Sequence, residues 1–393
     1  MKNILLVRAT PNDLDINAYN VQQVGIGKSL VNKGYNYDFI TFKKNAPRKE
    51  TVFYEKDGCR AKCIELPRIR VLRWGINTDI CKKEFLDKYD LIICQEYYQI
   101  ETYLISRKSN RVAMYTGPYY NMFLPKWFSP IYDLLFTKRI NSQIKHKFVK
   151  SVLANAFMEE KGYTGLTNVG VALDTSRFVD ADILPETREL IDFMKTNKCL
   201  LYVGSLIERK NYPFLLETYK KMLQRDSEIK LVLIGKSKVS GVEKFLGKKD
   251  SEYAAKYDEK LTKKEKAGIY HLERLANPQL RYIYPLAKAF LLPSVLEIFG
   301  MVLLEAMYFG APVVSSRNGG SLTLMADGKC GQIVDEFDIE KWCDAISKYL
   351  DDPQYAKDVV EAAMKKVKEE YTWDAITKTM LTTVGLETAE KNK

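Results

Sequence analysis

A chain of 393 residues, 46% hydrophobic and 28% charged, has the make-up of a globular protein long enough for two domains. The net charge is +11, and the seven scattered cysteines read as reduced cytosolic thiols, because neither a zinc spacing nor a disulfide framework is visible. With only His146 and His271, a histidine-based metal centre is not expected. No run of about 18 apolar residues exists, so no membrane-spanning helix is expected, and the opening Met1 to Val7 is too short for a signal peptide.

In chain order, Ile4 to Val7 reads as a buried strand, followed by a polar loop from Thr10 to Asn20. A helix is predicted from Val21 to Asn32, with Gly34 in the position glycine favours after a helix. Strands are predicted over 37–42, 91–94, 111–115 and 151–154. Strands alternating with helices imply a parallel, doubly wound sheet. The polar stretch from Asp180 to Asn197 reads as a helical linker. A second series of strands is predicted over 199–204, 230–235, 268–272, 289–292 and 312–315. The expected fold is therefore α/β, with two Rossmann-like domains facing across a cleft and ligands at the carboxyl ends of the strands. The charged stretch from Gly241 to Lys266 reads as solvated helices. Neither half shows Gly-x-Gly-x-x-Gly after its first strand, which speaks against a nicotinamide-dependent oxidoreductase.

Basic charge concentrates in Lys126, Lys138, Arg139, Lys145, Lys147 and Lys150, against only Asp133. Tyr119, Tyr120, Phe123, Trp127, Phe128, Tyr132 and Phe136 interleave with them. Residues 119–150 thus read either as a face for an anionic membrane surface or as a solvated basic face over a core helix. No nucleic-acid motif accompanies the charge, so no nucleic-acid partner is expected.

The densest chemistry lies in Glu297-Ile-Phe-Gly-Met-Val-Leu-Leu-Glu305. A helix is predicted to open at Gly300, with Glu297 in the loop before it and Glu305 on its second turn. Unpartnered N–H groups and the positive end of the dipole at such a start attract phosphate. Carboxylates on either side suit a ligand with hydroxyls flanking phosphate, which describes a nucleotide sugar. A plainer reading makes Glu305 a surface charge, but Val302, Leu303, Leu304, Ala306 and Met307 surround it. A helix apolar all round is buried, and a carboxylate there needs a partner or a ligand.

Four segments, Glu297 to Glu305, Val203-Gly-Ser-Leu-Ile-Glu-Arg-Lys-Asn211, Ala172-Leu-Asp-Thr-Ser-Arg-Phe178 and Glu370-Tyr-Thr-Trp-Asp374, together resemble the retaining glycosyltransferases of family 4, which have the GT-B fold. The resemblance implies an acceptor domain over 1–190, a donor domain over 191–372, and a last helix over 373–393 that crosses back to the first. It implies that Glu305 holds the ribose hydroxyls and Glu297 the transferred sugar. Gly204, Ser205, Gly300, Met301 and Val302 would meet the phosphates and sugar, and His271 and Leu272 the base. Arg209 and Lys210 would neutralise the leaving diphosphate as charge develops there. Asn17, Asn20, Thr116 and Gly117 fall where the acceptor would lie. The family commonly has Arg where Ser205 stands, and its Gly-Gly before the first helix is replaced here by Asn17 to Asn20.

The implied activity is a metal-independent, retaining hexosyl transfer from a nucleotide-diphosphate sugar, a UDP-sugar before a GDP-sugar, without a further cofactor. The implied acceptor is a glycan or lipid-linked saccharide of a bacterial surface polysaccharide. The implied location is the cytoplasm, including the inner face of the membrane. The alternative is a non-catalytic, glycosyltransferase-like partner subunit.

Overall fold

The computed structural model describes residues 1–10, 13–43, 46–71, 74–121, 124, 127–178, 181–237 and 252–387. The chain divides into two compact units, Met1–Ala172 with Tyr371–Lys393, and Leu173–Glu370. The change of unit predicted at 190 therefore comes at Ala172. The stretch read as a linker is a helix, Pro185–Thr196, that buries Thr187, Leu190 and Met194 within the second unit. Asp180, Phe123, Lys126 and residues 241–251 of the charged stretch lie outside the described residues.

The first unit holds β1 (Asn3–Arg8), β2 (Asn36–Lys43), β3 (Lys49–Lys56), β4 (Cys59–Pro67), β5 (Ile69–Val71), β6 (Trp74–Ile76), β7 (Leu91–Gln95), β8 (Val112–Thr116), β9 (His146–Val149) and β10 (Leu166–Asn168). Its main sheet runs β10-β9-β8-β7-β1-β2-β4-β3 and is parallel except at the β3–β4 hairpin, while β5 and β6 pair apart. The chain order reverses between β1 and β7, which makes the sheet doubly wound.

The strand predicted over 151–154 is a correction. Those residues open the helix Val152–Glu160, whose cap is the Ser151 hydroxyl accepting from Ala154 N–H, and the strand is β9, just before it. A serine oxygen that satisfies an orphan amide fixes a helix start more firmly than a short apolar run fixes a strand. The closing helix Trp373–Thr383 packs on Gln22–Asn32: a Cβ on Gly25 would stand 2.0 Å from Trp373 Nε1, so only glycine admits the indole. Ser29 Oγ donates to Asp374 Oδ1 at 2.6 Å beside it.

The second unit holds β11 (Lys198–Val203), β12 (Ile229–Ile234), β13 (Ile269–Leu272), β14 (Ala289–Leu292), β15 (Val313–Ser316) and β16 (Gln332–Val334), the last unforeseen in the sequence. The order β13-β12-β11-β14-β15-β16 is parallel throughout. It is the Rossmann order, with its reversal between β11 and β14. The loops after those two strands are therefore neighbours at the carboxyl edge of the sheet.

Candidate functional site

The sheet of the second unit brings residues 204–210 and 293–300 together at its topological switch point. After β11 the chain passes Gly204 and Ser205 into a short turn of helix, Glu208–Lys210. After β14 it passes Ser294 and Glu297 to Gly300, the cap of the helix Met301–Phe309. The Val295 amide donates to Arg209 O at 2.9 Å and ties the loops. Close backbone approach also explains Gly235, where a Cβ would lie 1.9 Å from Gly204 O.

Charge converges here. Arg209 Nη1 donates to Glu297 Oε2 at 3.0 Å and to Leu296 O at 2.7 Å, and Lys210 Nζ donates to the same carboxylate oxygen. Two cations share one carboxylate, which leaves a net positive charge in front of the helix start. Burial pushes the Lys210 ammonium below its usual range, and Glu297 opposes that shift. Glu297, assigned from the resemblance to sugar hydroxyls, thus serves in this structure to hold the two cations side by side.

The helix start is shaped for an anion. Gly300 takes φ +79°, a conformation that costs little only for glycine, and no side chain caps the turn. Gly319 N–H donates to Glu297 O at 3.1 Å. A Cβ on Gly320 would fall 1.6 Å from Phe299 O, so the helix Gly319–Met325 presses directly on the turn carrying Glu297. This second brace, capped by Asn318 through the amides of Gly320 and Ser321, was missed in the sequence. The motif Asn318-Gly-Gly-Ser321 was its signal.

Glu305 lies under that start and is 1% exposed; its Oε2 accepts from Tyr284 Oη at 3.0 Å. Desolvation pushes its carboxyl up to about 8. Tyr284 stacks on Phe309, and Phe309 meets Phe178 edge-on at 4.7 Å. The Ala172 to Phe178 segment therefore buttresses the Glu305 helix, and Asp174 caps its turn through Ser176 N–H at 3.2 Å. His271, at the end of β13, is exposed and bonds Gly235 O through Nε2 at 2.7 Å; Leu272 is half-buried beside it.

Thr116 and Gly117 stand at the carboxyl edge of the first unit. The Thr116 hydroxyl donates to Glu96 Oε2 at 2.8 Å and Gly117 N–H donates to the same atom at 3.2 Å. Lys150 Nζ reaches Glu96 Oε1 at 3.0 Å, with both side chains under 10% exposed. Glu96 itself holds φ +73°, an uncommon conformation for a side chain of this size. Sequence reasoning missed Glu96 and Lys150 as a pair, because nothing local connects residues 54 positions apart. Asn17 and Asn20 lie in the loop after β1, and Asn20 takes φ +49°. Among the described residues, no group of three or more His, Cys, Asp or Glu is placed to hold a metal ion.

A cavity of about 620 Å³ opens elsewhere in the second unit, lined by Lys198, Asp226, Lys288 and Pro312 among others. These residues lie at the amino ends of the strands, the edge opposite the cations. Parallel sheets of this type use the other edge for ligands, so the convergent charge outweighs the volume.

Residues 185–366 match the family model described as glycosyl transferases group 1. A D-inositol 3-phosphate glycosyltransferase of Corynebacterium diphtheriae is 29% identical over 194 residues, 48% of this chain and 43% of the relative. A probable sucrose-phosphate synthase of Thermosipho melanesiensis is 31% identical over 198 residues, 50% of this chain and 43% of the relative. The chain thus spans under half the length of these curated relatives.

Among solved structures, a sucrose-phosphate synthase from Thermosynechococcus elongatus superposes with a TM-score of 0.67 at 19% identity, over 97% of both chains. A trehalose-6-phosphate structure from E. coli, bound with UDP-2-fluoro glucose, gives 0.70 at 14% identity, over 98% of this chain and 99% of that one. These likenesses establish the fold: an α/β chain of two Rossmann-like units, the GT-B architecture.

Proposed function

We propose that this protein is a retaining glycosyltransferase that moves a hexosyl group from a nucleotide-diphosphate sugar, a UDP-sugar first, to a glycan or lipid-linked saccharide of a surface polysaccharide. The observation that carries the reading is the convergence of Arg209, Lys210 and the uncapped Gly300 helix start at one switch point, with buried Glu305 beneath. Fixed cations and amides at one spot stabilise a diphosphate as it leaves, more than they stabilise the bound donor.

The donor's diphosphate lies against Arg209, Lys210 and the amides of Met301 and Val302. Gly204 and Ser205 leave room for its backbone approach, Glu305 takes the ribose hydroxyls, and His271 with Leu272 flanks the base. When phosphate draws the two cations, the Glu297 carboxylate is released to the hydroxyls of the sugar. The bond from the anomeric carbon to the diphosphate oxygen breaks, and the acceptor oxygen bonds to the same face of that carbon. The acceptor's proton passes to the departing phosphate oxygen. Asn17 and Asn20 offer polar side chains for the acceptor, while Thr116 and Gly117, whose hydroxyl and amide are held by Glu96, set the loop after β8. The chemistry needs neither a metal nor a further cofactor, since cations and a helix dipole occupy the phosphate's surroundings.

The test is a panel of UDP-, GDP- and ADP-sugars incubated with the purified protein, with proton NMR of the sugar released or transferred. Turnover of a UDP-sugar with retained anomeric configuration is expected. Turnover with inversion, or a covalent glycosyl-enzyme trapped on any carboxylate, overturns the mechanism, and no turnover or binding of any member overturns the activity.

A further inference from the structure

The first unit carries a surface that the proposed chemistry does not use. Residues Ser129–Tyr132, Asp133–Thr137 and Lys138–Gln143 form one helix with a π-turn at its middle. One side is core: Tyr132 and Ile140 are fully buried, Phe128 and Phe136 pack against them, and Tyr132 Oη donates to Tyr97 O at 2.8 Å. The other side is open to solvent and is also apolar. Trp127 is 69% exposed, Leu134 83%, and Ile131 and Leu135 44% each. Leu134 and Leu135 follow Ile131 by three and four residues and so share its side of the helix, and Trp127 stands just before the helix begins.

A surface helix normally turns polar residues to water. Here the stripe ends instead in Lys138 and Arg139, with exposed Lys145 beyond them. Arg139 Nη1 donates to Leu135 O at 2.5 Å, one turn back along the helix. Asp133 is the one acidic residue from Trp127 to Lys145, and its carboxylate is bonded by Lys161. Of the six basic residues singled out in this stretch, two turn inward. Lys147 donates to Asn141 O, Ile144 O and Thr164 O, and Lys150 pairs with Glu96. The outward face is therefore an apolar stripe with a cationic end and no unpaired acid among its described residues.

We infer that this face docks on an anionic lipid surface, with Trp127, Ile131, Leu134 and Leu135 in the headgroup–acyl boundary and Lys138, Arg139 and Lys145 against the headgroups. The charge decides between occupants. A second copy would bring the same cations onto themselves, whereas anionic headgroups complement them. The helix follows the loop after Thr116 and Gly117, so its Trp127 end leaves from the carboxyl edge of the sheet, the edge where the acceptor was placed. The inference stands on this unit alone and does not require the donor chemistry.

The protein supplies its own probe. Of its four tryptophans, Trp74, Trp342 and Trp373 are buried and only Trp127 is exposed. The experiment is tryptophan emission and co-sedimentation with vesicles of phosphatidylcholine and phosphatidylglycerol in equal parts, and with vesicles of phosphatidylcholine alone. A blue shift, protection from acrylamide and co-sedimentation are expected with the anionic vesicles, weakening with salt. Trp127→Phe abolishes the spectral shift but leaves most of the sedimentation. Lys138→Glu with Arg139→Glu lowers partitioning about thirtyfold or more, and Leu134→Ser with Leu135→Ser by about tenfold.

Circular dichroism and nucleotide binding separate these effects from misfolding. Since turnover of a soluble donor is read separately, loss of vesicle binding and loss of activity are distinguishable. The inference is overturned if the wild-type protein ignores anionic vesicles. It is also overturned if gel filtration shows a dimer that Leu134→Ser dissociates.

Discussion

Lys210→Met isolates the contribution of one cation. The lysine is about 10% exposed, with its ammonium on Glu297 Oε2, and methionine keeps most of the stem's volume while removing the charge. Loss of a single oriented group facing developing negative charge costs roughly 2.7–4 kcal/mol in enzymes of other types. At about 1.4 kcal/mol per decade, transfer should fall roughly a hundred- to a thousandfold.

Stability should change much less. Removing one member of a buried pair is severe when the other charge is stranded. Glu297 keeps Arg209 Nη1 at 3.0 Å, and its own side chain is 14% exposed. The desolvation that lowers the Lys210 ammonium is also relieved. The two terms offset to within about 1–2 kcal/mol. The assay is initial-rate release of the nucleoside diphosphate, with melting temperature measured on the same samples. The fall should appear in kcat, because the interaction strengthens as the phosphate leaves. A variant that melts normally and retains a rate within about threefold of wild type would refute the assignment of Lys210 to the diphosphate.

Glu305→Gln reads the buried carboxyl. Burial raises that group to about 8, so between about pH 5 and 8 the folded chain holds a proton that the unfolded chain releases. Stability is therefore greatest below that window and is lost as pH rises through it, by up to about 1.4 kcal/mol per pH unit. The variant should flatten this slope in melting curves, and parallel curves would contradict it. Gly320→Ala forces a Cβ into Phe299 O, so it should destabilise by about 2–4 kcal/mol and weaken nucleotide binding by displacing Glu297; unchanged melting would show that the turn yields freely. Glu96→Gln or Lys150→Met alone should cost about 3–5 kcal/mol, and the double variant less than either single. Chemical denaturation checks that ordering, and additive costs would refute the coupling.

The core strands of both units were legible because parallel strands covered on both faces read as short apolar runs, as in Leu200 to Val203 and Phe290 to Leu292. The hairpin of β3 and β4 was not, because its outer strand lies at the sheet edge and carries Lys49, Glu50, Glu55 and Lys56. Its turn did carry a signal: Asp57 and Gly58 both take positive φ, the tight turn that an Asp-Gly pair prefers.

In the site, Arg209, Lys210, Glu297 and Gly300 were legible from local motifs, because the switch point of a Rossmann sheet brings those two loops together. That Glu297 grips the two cations, and that Tyr284 partners Glu305, were not legible, since each pairing is set by packing across distant segments. The Glu96–Lys150 pair escaped for the same reason. The basic stretch looked uniformly cationic in sequence, yet Lys147 and Lys150 are buried, and the outward helix face is apolar.

Amide hydrogen exchange with and without UDP tests the donor site most directly. Slowed exchange is predicted over 204–211 and at Met301 and Val302, with Lys210→Met weakening the protection. Protection confined to the opposite edge, around Lys198, Asp226 and Lys288, or no protection in the second unit at all, would contradict the account.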